Sequence, residues 1–178
     1  AKLVKTSNLV LRGNCVHDNT GTGLWTDIGN IHSLYEGNRV FANSSEGIHH
    51  EISYDAVIRG NTVFANGYGY DSWLFGAQIL INTSRNVEVH DNHVEVARGY
   101  GDGIALIQQE REDGRFGEAR TSGNRVHGNT VVYRGPNGVS GAAGDYDNEA
   151  LFSSGNRFYE NSYMARDGDE AHWAWGEP

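Results

Sequence analysis

Cysteine, lysine and proline are almost missing from this chain of 178 residues. The single cysteine, Cys15, excludes an internal disulfide and any Cys-based zinc cluster. The two lysines, Lys2 and Lys5, sit at the extreme N-terminus. Two prolines leave the turns to 24 glycines and 17 asparagines. No apolar run approaches the roughly 20 residues needed to span a bilayer, so no membrane partner is expected. A net charge of −9 lacks the basic surface that phosphate binding needs, which argues against nucleic acid. It also disfavours polyanionic glycans, unless a bound cation or a local arginine patch intervenes. A signal peptide is missing too. Ala1 is not an initiator Met, however, and the chain opens directly on a strand-like segment, as expected of a processed or trimmed chain.

What is present is a repeat. Asn14-x-Val16-x-x-Asn19 recurs as Asn38-x-Val40-x-x-Asn43 and Asn61-x-Val63-x-x-Asn66. It continues as Asn92-x-Val94, Asn124-x-Val126-x-x-Asn129 and Asn156-x-Phe158-x-x-Asn161. The spacing is consistent with a unit of about 23 residues, later enlarged by insertions. Each unit reads as three short strands. The first follows glycine (Gly23-Leu24-Trp25, Gly47-Ile48-His49), the second alternates with period two (Leu9 to Leu11, Ala56 to Ile58, Val87 to Val89), and the third is Asn-x-Val. No helical periodicity stands out, and hairpin turns are absent from the joints. Coiling answers both facts, because equivalent strands then stack in register about 4.8 Å apart. The expected fold is all-β, a right-handed parallel β-helix of about six coils with three strands each. Residues 1–178 form one domain, with a repeat core over about 8–161 and a partial coil or cap over 162–178. In this reading Val16, Val40, Val63, Val94, Val126 and Phe158 form one core wall, and Leu11, Tyr35, Ile58 and Val89 another. The column from Asn14 to Asn156 occupies a bend, where asparagine tolerates a left-handed backbone and stacked amides bond along the axis. Trp173 and Trp175 are expected to cover the open core, and the natural chain to continue past Pro178.

These Asn-x-Val units with Gly-Ile/Leu strand starts resemble the parallel β-helix repeats of pectate-lyase-like proteins, over roughly residues 8–161. That superfamily holds lyases, hydrolases, epimerases, tailspikes and non-catalytic binders, so the resemblance implies a fold and a polysaccharide partner more than one activity. It implies a secreted, bacterial chain that engages a polysaccharide on the flank of its first strands. Cleavage by a lyase or hydrolase reaction is one outcome; a non-catalytic carbohydrate-binding, structural or adhesin module is the other.

The candidate site follows from strand alternation. With Leu24 and Ile48 inward, Trp25 and His49 point outward, and Asp27 and Glu51 share the next outward column. Leu80 and Asn82 extend these columns, and a looser alignment adds Asp145. Carboxylates on adjacent coils repel, so one of Asp27 and Glu51 is expected to bind its proton more tightly and serve as a general acid. Their separation suits the retaining geometry of glycosidases. A Ca²⁺ ion shared by Asp27 and Glu51, or two solvated carboxylates, are the alternatives. For a lyase the base would be His49, since terminal lysines are not expected to reach the groove, while His50 points inward as a hydrogen-bonded core residue. Two insertions flank this face. In residues 67–76, Tyr70 and Trp73 are expected to wall the groove for substrate, beside Trp25, Asn82 and Asp145. In residues 108–120, Arg111 or Arg115 is a candidate clamp. Cys15 is expected to be exposed.

Overall fold

In the computed structural model, residues 2–70, 74–144, 148–166 and 172–176 are described, with backbone alone at 148–150. Trp73 and Asp145 lie outside the described residues. The first coil carries β1 (Lys2–Val4), β2 (Val10–Arg12) and β3 (Cys15–His17); the second carries β4 (Leu24–Asp27), β5 (Ile31–Glu36) and β6 (Arg39–Phe41). The third holds β7 (Ile48–Glu51), β8 (Tyr54–Arg59) and β9 (Thr62–Phe64), and the fourth β10 (Ala77–Asn82), β11 (Arg85–His90) and β12 (His93–Val96). The fifth holds β13 (Asp102–Gln108), β14 (Arg125–His127) and β15 (Thr130–Tyr133). The sixth holds β16 (Ser140–Gly144), helix α1 (Asn148–Ser153), β17 (Arg157–Tyr159) and β18 (Ser162–Ala165), after which β19 (Trp173–Gly176) opens another turn. All strand pairs are parallel. They form one sheet of seven strands, β1 to β19, and two of six, containing β2 to β17 and β3 to β18. The all-β parallel coil expected from the repeats is the architecture found.

The core is a set of columns running along the axis. Leu24, Ile48, Ile79 and Ile104 stack on the seven-stranded sheet, and Val16, Val40, Val63, Val94 and Val131 on the β3–β18 sheet. Ile48, Ile79, Ile104, Val40, Val63 and Val94 are fully buried. Each such side chain contributes about 1.5–3 kcal/mol by leaving water. His50 also points inward, as expected. Its Nδ1 lies 2.8 Å from Thr26 Oγ1 and 3.2 Å from Tyr35 Oη. Burial, and behind it the charge of His49, push the His50 ring down to about 3, so it is neutral.

One register expectation is corrected. Val126 and Phe158 do not continue the Val16–Val94 wall. Val126 pairs with Val89 and Phe158 with Val126, so both extend the Leu11, Tyr35, Ile58, Val89 wall. The cause is that asparagine marks more than one bend. In coils one to three the Asn-x-Val-x-x-Asn motif spans the β3–β9 strands, whereas at 124–129 it brackets β14 and its second asparagine takes the bend that Asn92 holds. The amide ladder therefore runs Asn14→Asn38→Asn61→Asn92→Asn129→Asn161, each Nδ2 donating to the next Oδ1 at 2.9 Å. A second ladder, Asn19→Asn43→Asn66→Gln78, runs along the following bend at 2.7–2.9 Å.

The left-handed residue of these bends is also not the asparagine but the residue before it. Gly13, Gly37, Gly60 and Gly128 have φ of 61–66°, Asp91 54° and Ala42 52°. The turn's strain is thus placed on glycine wherever possible, while asparagine keeps an ordinary backbone and turns its amide inward. Asn30, which lies outside the Asn14–Asn156 column of the repeats, is fully buried; its amide donates to Asp27 O at 3.0 Å and Ser53 Oγ at 3.1 Å, and accepts from Thr6 N at 3.0 Å. Gly47 opens β7 for a steric reason: a Cβ there would lie 2.5 Å from Val63 Cγ1 and 2.7 Å from Asn66 Nδ2. Cys15 is exposed. Trp173 and Trp175 pack edge-on against Phe158 but remain 43% and 39% exposed, so they cover the core only in part.

Candidate functional site

The outer face of the seven-stranded sheet changes character along the axis. One outward column reads Lys2, Trp25, His49, Leu80, Ala105 and the next Val4, Asp27, Glu51, Asn82, Ile107. The register expected for Trp25, His49, Asp27, Glu51 and Asn82 is therefore the one found. Apart from Asn82, coils four and five are apolar on this face, and Leu74 from the first inserted loop buries itself there in a cluster with Leu80, Ala105 and Ile107. Coils two and three are polar, and beside them opens a cavity of about 600 Å³. Its walls are Thr20, Gly21, Thr22 and Trp25 from coil two and Ser44, Ser45, Glu46, His49 and Glu51 from coil three. Gly69, Tyr70 and Phe75 of the first insertion and Gln109 and Arg111 of the second close it.

This face is less open than alternation alone suggested. Asp27, His49 and Asn82 are 4%, 5% and 1% exposed, so the expected exposed flank is corrected to a largely covered one. The covering groups are identifiable. The Lys2 ammonium forms an ion pair with Asp27 and lies 4.1 Å from the centre of the Trp25 ring. A terminal lysine does reach this face, contrary to expectation, because β1 pairs in register with β4 and sets Lys2 directly beside Trp25. Asn82 lies under the second insertion, its Nδ2 donating to Gln109 Oε1 at 2.9 Å and Glu51 Oε1 at 3.3 Å. Arg111 Nη2 donates to the same Gln109 oxygen at 2.7 Å, and Trp25 Nε1 donates to Glu51 Oε2 at 3.0 Å. A continuous polar network thus ties the inserted loop to the sheet.

Trp25 is not a free stacking surface. Lys2 from the coil before lies over its ring, and the His49 ring from the coil after stacks on it at 5.8 Å and 7°. The exposed aromatic at the cavity is Tyr70, 44% accessible and stacked on Phe75 at 5.9 Å. Arg111 lines the cavity; Arg115 does not, and its guanidinium lies 5.0 Å from the Phe116 ring. Asp27 and Asn82 stand beside the cavity without lining it.

Glu46 went unnoticed in the sequence. It is 3% exposed and accepts hydrogen bonds from Thr22 Oγ1 at 2.7 Å and Ser45 Oγ at 2.6 Å, with His49 Nδ1 at 3.6 Å. Burial alone pushes its carboxyl up, but the His49 ring and the two hydroxyls outweigh it and hold the group down at about 2. The signal was legible in principle, because Thr22-Gly23-Leu24 aligns with Glu46-Gly47-Ile48 one coil later. His49 stands between two carboxylates, its Nε2 3.9 Å from Glu51 Oε2 and without a hydrogen-bond partner. As for a cation, Lys2 holds Asp27, and N–H groups of Trp25 and Asn82 point at the two Glu51 oxygens. A Ca²⁺ ion between these carboxylates would have to displace such donors. Among the described residues no group of three His, Cys, Asp or Glu is arranged as metal ligands.

A family model described as the right-handed β-helix region matches residues 1–94, more than half of the chain. The chain belongs to this family. Neither a curated protein nor a solved structure matches it. Membership accounts for the handedness that parallel crossovers favour and for the stacked repeat, and it leaves activity to be argued from the site. Elsewhere on the β-helix, a second cavity of about 510 Å³ lies beside Phe158, Trp173 and Trp175. No helix among the described residues is long and apolar enough to cross a membrane.

Proposed function

We propose that this β-helix is an extracellular polysaccharide-binding protein of bacterial type, and that the cavity between the 67–76 loop and coils two and three receives the glycan. The observation that carries the reading is the pairing of an exposed ring, Tyr70, with two buried hydrogen-bonding groups, Glu46 and His49, and the half-buried Glu51, across one open cavity. Apolar sugar faces stack on aromatic rings, while hydroxyls and substituents need acceptors and donors of fixed direction. The network through Gln109 and Asn82 fixes Glu51, and Thr22 and Ser45 fix Glu46, so the polar groups are preorganised.

A catalytic reading is favoured by one feature, the unpartnered Nε2 of His49 facing Glu51 at the cavity wall. In its neutral form a histidine so placed is suited to take a proton from a bound sugar, with Glu46 orienting the ring, which is lyase-type chemistry. The retaining-glycosidase reading of Asp27 with Glu51 has less support, because Asp27 stands off the cavity with Lys2 as its counter-ion.

The test is calorimetric titration against a panel of neutral, acidic and amino-sugar oligosaccharides, with new reducing or unsaturated ends followed in parallel. Binding of at least one class, weakened about tenfold or more by Tyr70→Ala, is expected; loss of one stacked ring costs on the order of 1 kcal/mol or more. Failure of every class to bind, or a Tyr70→Ala variant that binds as the parent does, would overturn the proposal.

A further inference from the structure

We infer that copies of this chain stack head to tail, the first coil of one copy continuing the last coil of another in register. Among the described residues, β1, β2 and β3 have no neighbouring strand on their outer side at one end of the β-helix, and β17, β18 and β19 have none at the other. Such an edge presents a row of unpaired backbone N–H and C=O groups and is a template for another strand. What each edge carries decides which strand fits.

The asparagine ladder has a direction. From Asn14 to Asn161, the backbone N–H and the Nδ2 of one asparagine donate to Oδ1 of the next. The first coil therefore ends on an acceptor, Asn14 Oδ1, which receives no donor among the described residues. The last coil ends on donors. These are the Asn161 N–H and one Nδ2 hydrogen, the other Nδ2 hydrogen going to Val126 O at 2.9 Å. Asn161 donating to Asn14 of the next copy supplies the missing rung. Two last coils face to face would set donors against donors, and two first coils would set acceptors against acceptors.

The side chains match in the same sense. Carried one coil further, the observed register sets Phe158 on Leu11, Tyr163 on Val16 and Trp175 on Leu3 of the next copy. All six continue inward columns. Tyr163 and Trp175 are 40% and 39% exposed because no coil covers them. On the outer face Tyr159 would receive Arg12 of the next copy, a contact of the kind that Lys2 makes with Trp25 within the chain. Charge favours this pairing too. Residues 160–178 hold five acidic side chains against Arg166, whereas residues 1–20 hold Lys2, Lys5 and Arg12 against Asp18. A head-to-tail contact leaves the same two faces free on every pair, so it propagates as a filament instead of closing as a dimer. On the glycan-binding reading, the cavity of coils two and three would recur about every 30 Å along that filament, and a long polysaccharide would meet several at once.

The exposed Cys15 provides the test. The register places Ser162 beside Cys15 of the next copy, in a column whose Cα atoms lie about 4.8 Å apart, within disulfide reach. Under mild oxidation, Ser162→Cys is expected to give a ladder of dimers, trimers and larger species on a non-reducing gel, collapsing on reduction. The parent and the double variant Cys15→Ser/Ser162→Cys hold one thiol each and are expected to cross-link far more slowly. Light scattering of the reduced parent should show a mass that grows with concentration. Trp175→Asp should move that growth to a concentration about tenfold higher or more. A parent that stays monomeric at every concentration, or a one-thiol protein that cross-links as fast as Ser162→Cys, overturns the inference. Association of the parent without the ladder in Ser162→Cys also overturns it, since the contact would then lie on another face. Parent mass alone refutes the inference if Ser162→Cys does not fold and the parent is monomeric. If that parent associates, the loss of growth in Trp175→Asp decides.

Discussion

Replacing Asn61 by leucine isolates the amide ladder from the apolar core around it. Asn61 Oδ1 accepts from both Asn38 N and Asn38 Nδ2 at 2.9 Å, and Asn61 Nδ2 donates to Asn92 Oδ1 at 2.9 Å and Tyr35 O at 3.0 Å. Leucine fills the space but leaves two donors on Asn38, itself 1% exposed, with no acceptor. At about 1–3 kcal/mol for each orphaned buried donor, the loss is about 2–6 kcal/mol, a large part of a domain's stability. Asn14→Leu is the control. Asn14 only donates, at the exposed start of the ladder, so its loss is expected within about 1 kcal/mol. Urea denaturation followed by circular dichroism measures both. Equal midpoints for the two variants would show that the ladder does not stabilise the coil as argued. Asn30→Leu is expected to behave like Asn61→Leu, because the Asn30 side chain makes five hydrogen bonds of its own.

Other perturbations address other parts of the account. Gly47→Ala should cost about 1–3 kcal/mol through overpacking against Val63 and Asn66, whereas Gly13→Ala, with open space around it, should cost only its left-handed backbone strain; thermal melts compare them. Ile28 is 46% exposed at φ 56°, a β-branched residue in the left-handed region, so Ile28→Asn should raise stability by about 0.5–1 kcal/mol, and a loss would refute the strain argument. His50 has a folded value of about 3 against an unfolded 6.5, so its contribution is complete above 6.5 and is lost as pH falls towards 3; His50→Leu should flatten this acid slope, and an unchanged slope would place the lability elsewhere. Burial pushes the Asp102 carboxyl up to about 6, against N–H bonds from Val139 and Leu74, so its contribution is complete below 3.8 and is lost as pH rises through 6. Asp102→Asn should therefore raise the melting point in mildly alkaline buffer and leave it nearly unchanged in acid.

The repeat made the coil and the strand register legible, because Gly23 and Gly47 phase the first strands and alternation then dictates which of Trp25, Asp27, His49 and Glu51 share a column. It misplaced Val126 because asparagine serves more than one bend, and a motif that repeats within a coil cannot say which bend it marks. Burial on the flank was not legible for a different reason. Whether Asp27 and Asn82 see water depends on Lys2 and Gln109, which arrive from a preceding strand and an inserted loop with no pattern of their own. Glu46 escaped notice because it precedes the glycine from which the strands were aligned, although the coil-to-coil match with Thr22 was there to be read.

The most direct test of the central claim is a crystal structure of the protein soaked with the oligosaccharide that binds it most tightly. Sugar density is predicted in the cavity of coils two and three, one ring against Tyr70 and polar atoms within hydrogen-bond distance of Glu46, His49 or Glu51. Density against Trp173 and Trp175 at the far end, with that cavity empty, would contradict the account.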